Sequence, residues 1–227
     1  YYLPPFESTT QEIGCRVPIT ISLNELLNAA KEMAEICPGD PCHMILNTNI
    51  LKQIVGSSVK SCTELTLREV VNIVGMVGAG KSTLIKVLAF WCHQNGYRIA
   101  IVVDTVAEVL NLQKYLSAFG VAVSPLIGRN ERLKYINQVT QPNETCLSTG
   151  FSQYLTPVCL IDGMDTQHSA AIAFGKEPCY SLKKGNKNHL CPYFDQCLGT
   201  KMLRECYTAS VVLTTVAGFA ASRVGHR

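Results

Sequence analysis

The sequence predicts an α/β fold: a parallel, helix-covered sheet, with a helical region before it and a cysteine-rich insertion within it. Three observations predict this. Apolar runs at 70–74, 98–103 and 121–127 alternate with helical periodicity at 83–94 and 107–119, the grammar of parallel strands joined by helical crossovers. Apolar residues are 47% and charged residues 16% of the 227, against about 25% charged in an average domain, so the core is large for its surface or part of the surface is covered. Six of the eleven cysteines fall in residues 140–206, a stretch rich in Pro, Gly, Asn and Thr that breaks the alternation. This composition excludes disorder, a collagen-like chain and a small disulfide scaffold. A net charge of +3 is too mild to name a polyanionic partner.

In order, residues 1–62 form the helical N-terminal region. An irregular lead-in covers residues 1–20. A helix follows over 21–36, with Ser22 and Glu25 as a capping box and Ile21 against Leu26 as a hydrophobic staple. Pro38-Gly39 ends it, and Asp40-Pro41 opens a second helix carrying Met44, Ile45, Ile50, Leu51 and Ile54. Residues 63–139 and 207–227 form the α/β domain, with a further helix over 129–139. Residues 140–206 are the insertion, with a short strand at 158–161. The run Val211-Val212-Leu213-Thr214-Thr215 returns to the sheet. The uncharged stretch 206–222 is shorter than the about 20 apolar residues of a membrane span and is β-branched at its centre, so it reads as a buried strand. The chain starts without Met and stops just after an apolar run, and it reads as a piece of a longer protein.

The chemistry is densest at Gly75-Met76-Val77-Gly78-Ala79-Gly80-Lys81-Ser82-Thr83, which fits G-x-x-x-x-G-K-[ST] between an apolar strand and an amphipathic helix. Gly75, Gly78, Ala79 and Gly80 let the backbone curl so that its N–H groups face phosphate oxygens. Lys81 reaches the β- and γ-phosphates, and the Ser82 hydroxyl ligates Mg²⁺. The helix that follows, through Thr83, aims its positive end at the same charge. ATP with Mg²⁺ is the expected ligand, and Lys81 the expected catalytic side chain.

Residues 75–128 resemble the first RecA-like domain of superfamily 1 and 2 helicases, a P-loop NTPase fold. The resemblance implies a DNA-contacting turn at Val103-Asp104-Thr105-Val106-Ala107, for which an ordinary helix cap by Asp104 or Thr105 is the alternative. The same segment is similar to signal-recognition-particle GTPases, which share the loop, the long helix and an Asp-Thr. Leu160-Ile161-Asp162-Gly163-Met164-Asp165 matches their switch poorly. Thr200-Lys201-Met202-Leu203 has Leu where their guanine-reading Asp belongs. An ABC-type ATPase shares the loop core, but no L-S-G-G-Q stretch follows.

Cys179, Cys191, Cys197 and Cys206 lie within 28 residues, separated by eleven, five and eight residues. Four thiolates suit tetrahedral Zn²⁺ or a [4Fe–4S] cluster, and His189 keeps a Cys₃His zinc site open. Cys191-Pro192-Tyr193-Phe194 resembles the C-P-Y near the cluster cysteines of XPD- and DinG-type iron–sulphur helicases, and 206–215 resembles their return strand. That resemblance implies a [4Fe–4S] insert. Cys15, Cys62, Cys92 and Cys159 read as buried small apolar residues. Cys37 and Cys42 flank a turn, Cys146 has no obvious partner, and Asn143-Glu144-Thr145 is a glycosylation sequon that matters only in a secreted chain.

Between Lys176 and Cys206, Lys176, Lys183, Lys184, Lys187, Lys201 and Arg204 against Glu177, Asp195 and Glu205 give a local excess of +3, interleaved with Tyr180, Tyr193, Phe194 and, just beyond, Tyr207. Cations with aromatics suit single-stranded nucleic acid, and a solvated basic loop with aromatics round a metal centre is the equal alternative. Arg129 and Arg132 add two cations after the third strand. No acidic box follows an apolar run, Asp162 being the nearest carboxylate, so that box and a second helicase domain are expected beyond Arg227.

The resulting expectation is the nucleotide-binding part of an ATP-dependent DNA helicase or translocase, acting on single-stranded or forked DNA, cytoplasmic or nuclear, with no membrane contact. The alternatives are a signal-recognition-particle-like GTPase or ATPase, and a non-catalytic nucleotide-sensing module.

Overall fold

The computed structural model describes residues 19–38, 64–67, 80–139, 152–156, 179, 182–184, 187–189 and 191–221. The chain divides into two compact units, one of residues 11–99 and 114–122, the other of 1–10, 100–113 and 123–227. The second expected helix, the strands at 70–74 and 158–161, and the sequon lie outside the described residues.

In the first unit, strand β1 (Ile19–Ser22) leads directly into helix α1 (Leu23–Ile36). The expected capping box is present: the Glu25 N–H donates to the Ser22 hydroxyl at 3.2 Å, and the Ser22 N–H donates to the Glu25 carboxylate at 2.7 Å. Both donors would otherwise be orphans of the helix start. The two staple residues, Ile21 and Leu26, are fully buried. Strand β2 (Glu64–Leu67) pairs antiparallel with β1, Ile19 opposite Leu67. That pairing was not legible in the sequence, because four residues carry too little periodicity to name a partner.

Helix α1 packs on helix α2 (Lys81–Gln94). Thr83, Leu84, Val87, Ala89, Phe90, Trp91 and Cys92 are all buried on α2, more than one apolar stripe, so it is covered on several sides. Phe90 meets the Phe119 ring edge-on at 6.5 Å, and Trp91 stacks on Tyr97 at 5.4 Å. The Lys86 ammonium sits 3.9 Å from the centre of the Tyr115 ring.

The second unit holds the sheet. Its strands are β3 (Ile99–Val103, of which residue 99 falls in the first unit), β4 (Val123–Leu126) and β7 (Val211–Thr215), in the order β3-β7-β4. The β4–β7 pair is parallel, with Val123 opposite Val211 and Leu126 opposite Thr214. All five residues of β7 are buried, as a central parallel strand requires. Among the described residues β4 stands at the edge of this sheet, where proline is tolerated, and Pro125 lies opposite Leu213. Among the described residues no helix is long and apolar enough to cross a membrane.

Helix α3 (Val106–Ala118) follows β3, and α4 (Arg129–Val139) follows β4. Within the stretch read as an insertion, α5 (Ser152–Leu155) and a hairpin of β5 (Leu182–Lys184) with β6 (Lys187–His189) precede α6 (Leu198–Thr208). Helix α6 is no part of a detached loop. It packs on β4, and the buried Ser124 hydroxyl donates to the Met202 carbonyl at 3.1 Å. The short helix α7 (Val216–Ala221) closes the described chain.

Candidate functional site

The phosphate-loop motif reaches the described residues at its last three positions, and Gly75, Gly78 and Ala79 lie before them. Gly80 is the N-cap of α2, at φ 81 and ψ 12. That left-handed conformation strains any residue with a Cβ, which is the local reason for glycine here. Gly80 has no side chain with which to cap this helix start. The first backbone bond of the helix runs from the Leu84 N–H to the Gly80 carbonyl at 2.9 Å, so no intrahelical carbonyl serves the N–H groups of Lys81, Ser82 and Thr83. Lys81 is half-buried and Ser82 exposed, while Thr83 turns into the core at 7% exposure. An ammonium, a hydroxyl and a positive helix end on consecutive residues make a donor set for a phosphate chain with its Mg²⁺. The fit is chemical: every group is a donor or a metal-ligating oxygen, and none is acidic.

The turn at 103–107 is a helix cap. The Glu108 N–H donates to the Thr105 hydroxyl at 3.2 Å, and the Glu108 carboxylate accepts from the N–H groups of both Asp104 and Thr105 at 3.2 Å. This T-x-x-E box engages the Thr105 side chain in holding α3. The sequence reading named Thr105 and passed over Glu108, although the box spacing was there to find.

The four cysteines do not assemble. Among the described residues, which include all four, no three His, Cys, Asp or Glu side chains are grouped to hold a metal ion. Cys197 is the N-cap of α6 and Cys206 lies nine residues further along the same helix. At 1.5 Å per residue their Cα atoms are about 13 Å apart along the axis. Ligands of one metal need sulphurs about 2.3 Å from the ion. Both are buried, Cys206 at 1% exposure, as parts of the helix packing. The expected [4Fe–4S] cluster, and equally the zinc alternative, is therefore not supported by the donor set, and no chemistry is routed through either. Cys92 is buried as expected, and burial pushes its thiol up to about 11.

The basic surface also loses members. Arg204 is turned inward: its guanidinium donates to the Cys197 carbonyl at 3.1 Å, to the Phe194 carbonyl and to the Thr200 hydroxyl. Lys201 pairs with Glu205 at 3.5 Å and donates to Gln153. Arg132 is buried at 8% exposure and donates to the Thr156 carbonyl at 2.6 Å. Tyr193 and Tyr207 remain exposed. Thr200, the first residue of the imperfect guanine-reading match, is buried in α6, where its hydroxyl donates to the Phe194 carbonyl at 2.7 Å. That segment is a packing helix. Nearby, burial and then the Glu205 charge push the Tyr154 hydroxyl up to about 12.

With this geometry in view, the comparison with known families adds one finding. Residues 69–126 match the nucleotide-binding domain of the CobW/HypB/UreG family, about a quarter of the chain. This is a P-loop nucleotide-binding domain. The match spans the whole phosphate loop, α2, β3, α3 and β4. No curated protein and no solved structure matches the chain.

Proposed function

We propose that this chain is the nucleotide-handling part of a P-loop GTPase or ATPase of the class to which the signal-recognition-particle GTPases belong. The observation that carries the proposal is the start of α2. Gly80, Lys81 and Ser82 present a left-handed turn, a cation and a hydroxyl there, inside a segment similar to a GTPase-like nucleotide-binding family. In this reading the Lys81 ammonium neutralises the β- and γ-phosphates and the Ser82 hydroxyl ligates Mg²⁺. Bound Mg²⁺ supplies charge neutralisation at the leaving phosphate.

A second reading is an ATP-dependent DNA helicase. In that reading strand β7, which follows the cysteine-bearing stretch and lies between β3 and β4, would be the strand that returns to the sheet.

Equilibrium titration with fluorescent ATP and GTP analogues, with Mg²⁺, tests the shared part. Lys81→Ala should weaken binding by about 10- to 100-fold, the worth of one or two charge-assisted bonds. Unchanged affinity would remove the phosphate loop from function. Hydrolysis measured with and without single-stranded DNA separates the readings: stimulation by DNA favours the helicase, DNA-independent turnover the GTPase-like enzyme, and binding without turnover a sensing module.

A further inference from the structure

We infer that Asn95 is a site of spontaneous covalent modification, deamidation, and that its conversion unlatches the C-terminal end of α2. The inference is independent of the nucleotide site.

The end of α2 is a Schellman motif built on Asn95-Gly96-Tyr97. The Tyr97 N–H donates to the Cys92 carbonyl at 2.8 Å and the Gly96 N–H to the His93 carbonyl at 3.3 Å, with Gly96 left-handed at φ 72. Asn95 is the C-cap and adds a side-chain bond of its own. Its Nδ2 donates at 2.9 Å to the Trp91 carbonyl, which also accepts the Asn95 backbone N–H at 3.0 Å. The motif needs glycine after the cap for its backbone conformation. Glycine also leaves the preceding asparagine least protected, because no Cβ keeps the backbone nitrogen from the asparagine Cγ. A Cβ built at Gly96 meets no described atom within 4 Å, so the turn is not crowded there. Both residues are exposed to the water that the reaction consumes. No other asparagine in the chain precedes a glycine.

The reaction needs no oxidant and no cofactor. The Gly96 backbone nitrogen gives up its proton and attacks the Asn95 Cγ. The new N–Cγ bond closes a succinimide ring, the Cγ–Nδ2 bond breaks, and the amide nitrogen leaves with that proton as ammonia. Water then opens the ring at either carbonyl. Attack at Cγ breaks the new bond and leaves aspartate on the original backbone. Attack at the main-chain carbonyl of residue 95 breaks the original peptide bond and leaves isoaspartate, with the main chain routed through the side chain. Ammonia is lost and water gained.

Each product removes something the cap uses. The ring has no N–H at Gly96, so the bond to His93 ends. Aspartate cannot donate to the Trp91 carbonyl, and it sets a negative charge at the negative end of the helix. Isoaspartate lengthens the main chain by a carbon and shifts the N–H groups of Gly96 and Tyr97 out of register with His93 and Cys92. The intact cap slows the reaction by the same bonds. Nδ2 is held on Trp91 and the attacking nitrogen on His93, so attack waits for the helix end to fray.

The test incubates the full chain at neutral pH, folded and in urea, and maps its peptides by mass spectrometry over time. The Asn95 peptide should be the first asparagine peptide to gain the mass of an NH-to-O exchange. Part of the product should be methylated by protein isoaspartate methyltransferase, and conversion should be faster in urea. Asn95→Asp should lower the urea midpoint read at Trp91, whose ring stacks on Tyr97, and aged wild type should drift toward that midpoint. Another asparagine converting first in the folded chain, equal rates with and without urea, no conversion, or an Asn95→Asp midpoint equal to wild type would each overturn the inference.

Discussion

Gly218 shows how far a single hydrogen atom matters in this fold. A Cβ built there lies 2.6 Å from the Thr214 Oγ1, 3.1 Å from the Leu126 carbonyl and 3.2 Å from the Thr215 Oγ1. None of these neighbours can retreat cheaply. Thr214 is 1% exposed and its hydroxyl donates to the Leu126 carbonyl at 2.7 Å. The Thr215 hydroxyl donates to the Glu131 carboxylate and accepts from the Gly218 N–H at 3.1 Å. Two buried hydroxyls thus bind β7 to β4, to α4 and to the start of α7, and glycine leaves the space they need. Gly218→Ala should destabilise the protein by about 1–3 kcal/mol, the cost of overpacking a close-packed site. Urea unfolding reads it as a lowered midpoint with an unchanged slope. A midpoint equal to wild type would mean that the contacts at Gly218 are not those described.

Among the elements, α1 is fixed by a device visible in four residues. Ser22→Ala removes the acceptor for the Glu25 N–H and should cost about 1 kcal/mol, measured as a urea midpoint shift. The box also gives α1 a pH dependence. The Ser22 backbone N–H, and next its side chain, lower the Glu25 carboxyl from its ordinary 4.5. A carboxyl depressed in the folded state contributes stability above its unfolded value and loses it as pH falls through the lower folded one. Between pH 7 and pH 3, wild type should therefore lose more stability than Glu25→Gln, and parallel losses in the two proteins would remove this contribution. The capping box was legible because its chemistry is local, three residues apart. For the same reason the bounds of α2, α3 and α4 fall within two residues of those expected from periodicity. What the sequence hid is long-range: the β1–β2 pairing and the packing of α6 on β4. A cysteine count says nothing about register, so four nearby thiols looked like one ligand set until Cys197 and Cys206 were found on one helix, nine residues apart.

For the molecule as a whole, the legible part of function is the phosphate loop, and the illegible part is the base it prefers. The loop motif needs only glycines, a lysine and a hydroxyl in sequence, whereas base reading is assembled from distant segments that no short pattern names. The one short candidate, beginning at Thr200, is committed to helix packing. Linkage offers a measurement of both at once. A ligand that binds only the folded state stabilises it by about 2.7 kcal/mol at 100 times its Kd, and each further tenfold adds about 1.4 kcal/mol. In a chain of 227 residues the first step corresponds to a rise in Tm of about 5–10 °C. Trp91, the single tryptophan, is buried on α2, the helix that the phosphate loop starts, and its fluorescence reports the melting of that unit. Thermal unfolding followed at Trp91 should therefore shift upward with Mg²⁺ and ATP or GTP, logarithmically in ligand concentration. The more effective nucleotide identifies the preferred base. Lys81→Ala should need about 10- to 100-fold more nucleotide to reach the same shift. A concentration dependence in Lys81→Ala identical to that of wild type would place nucleotide binding somewhere other than the start of α2.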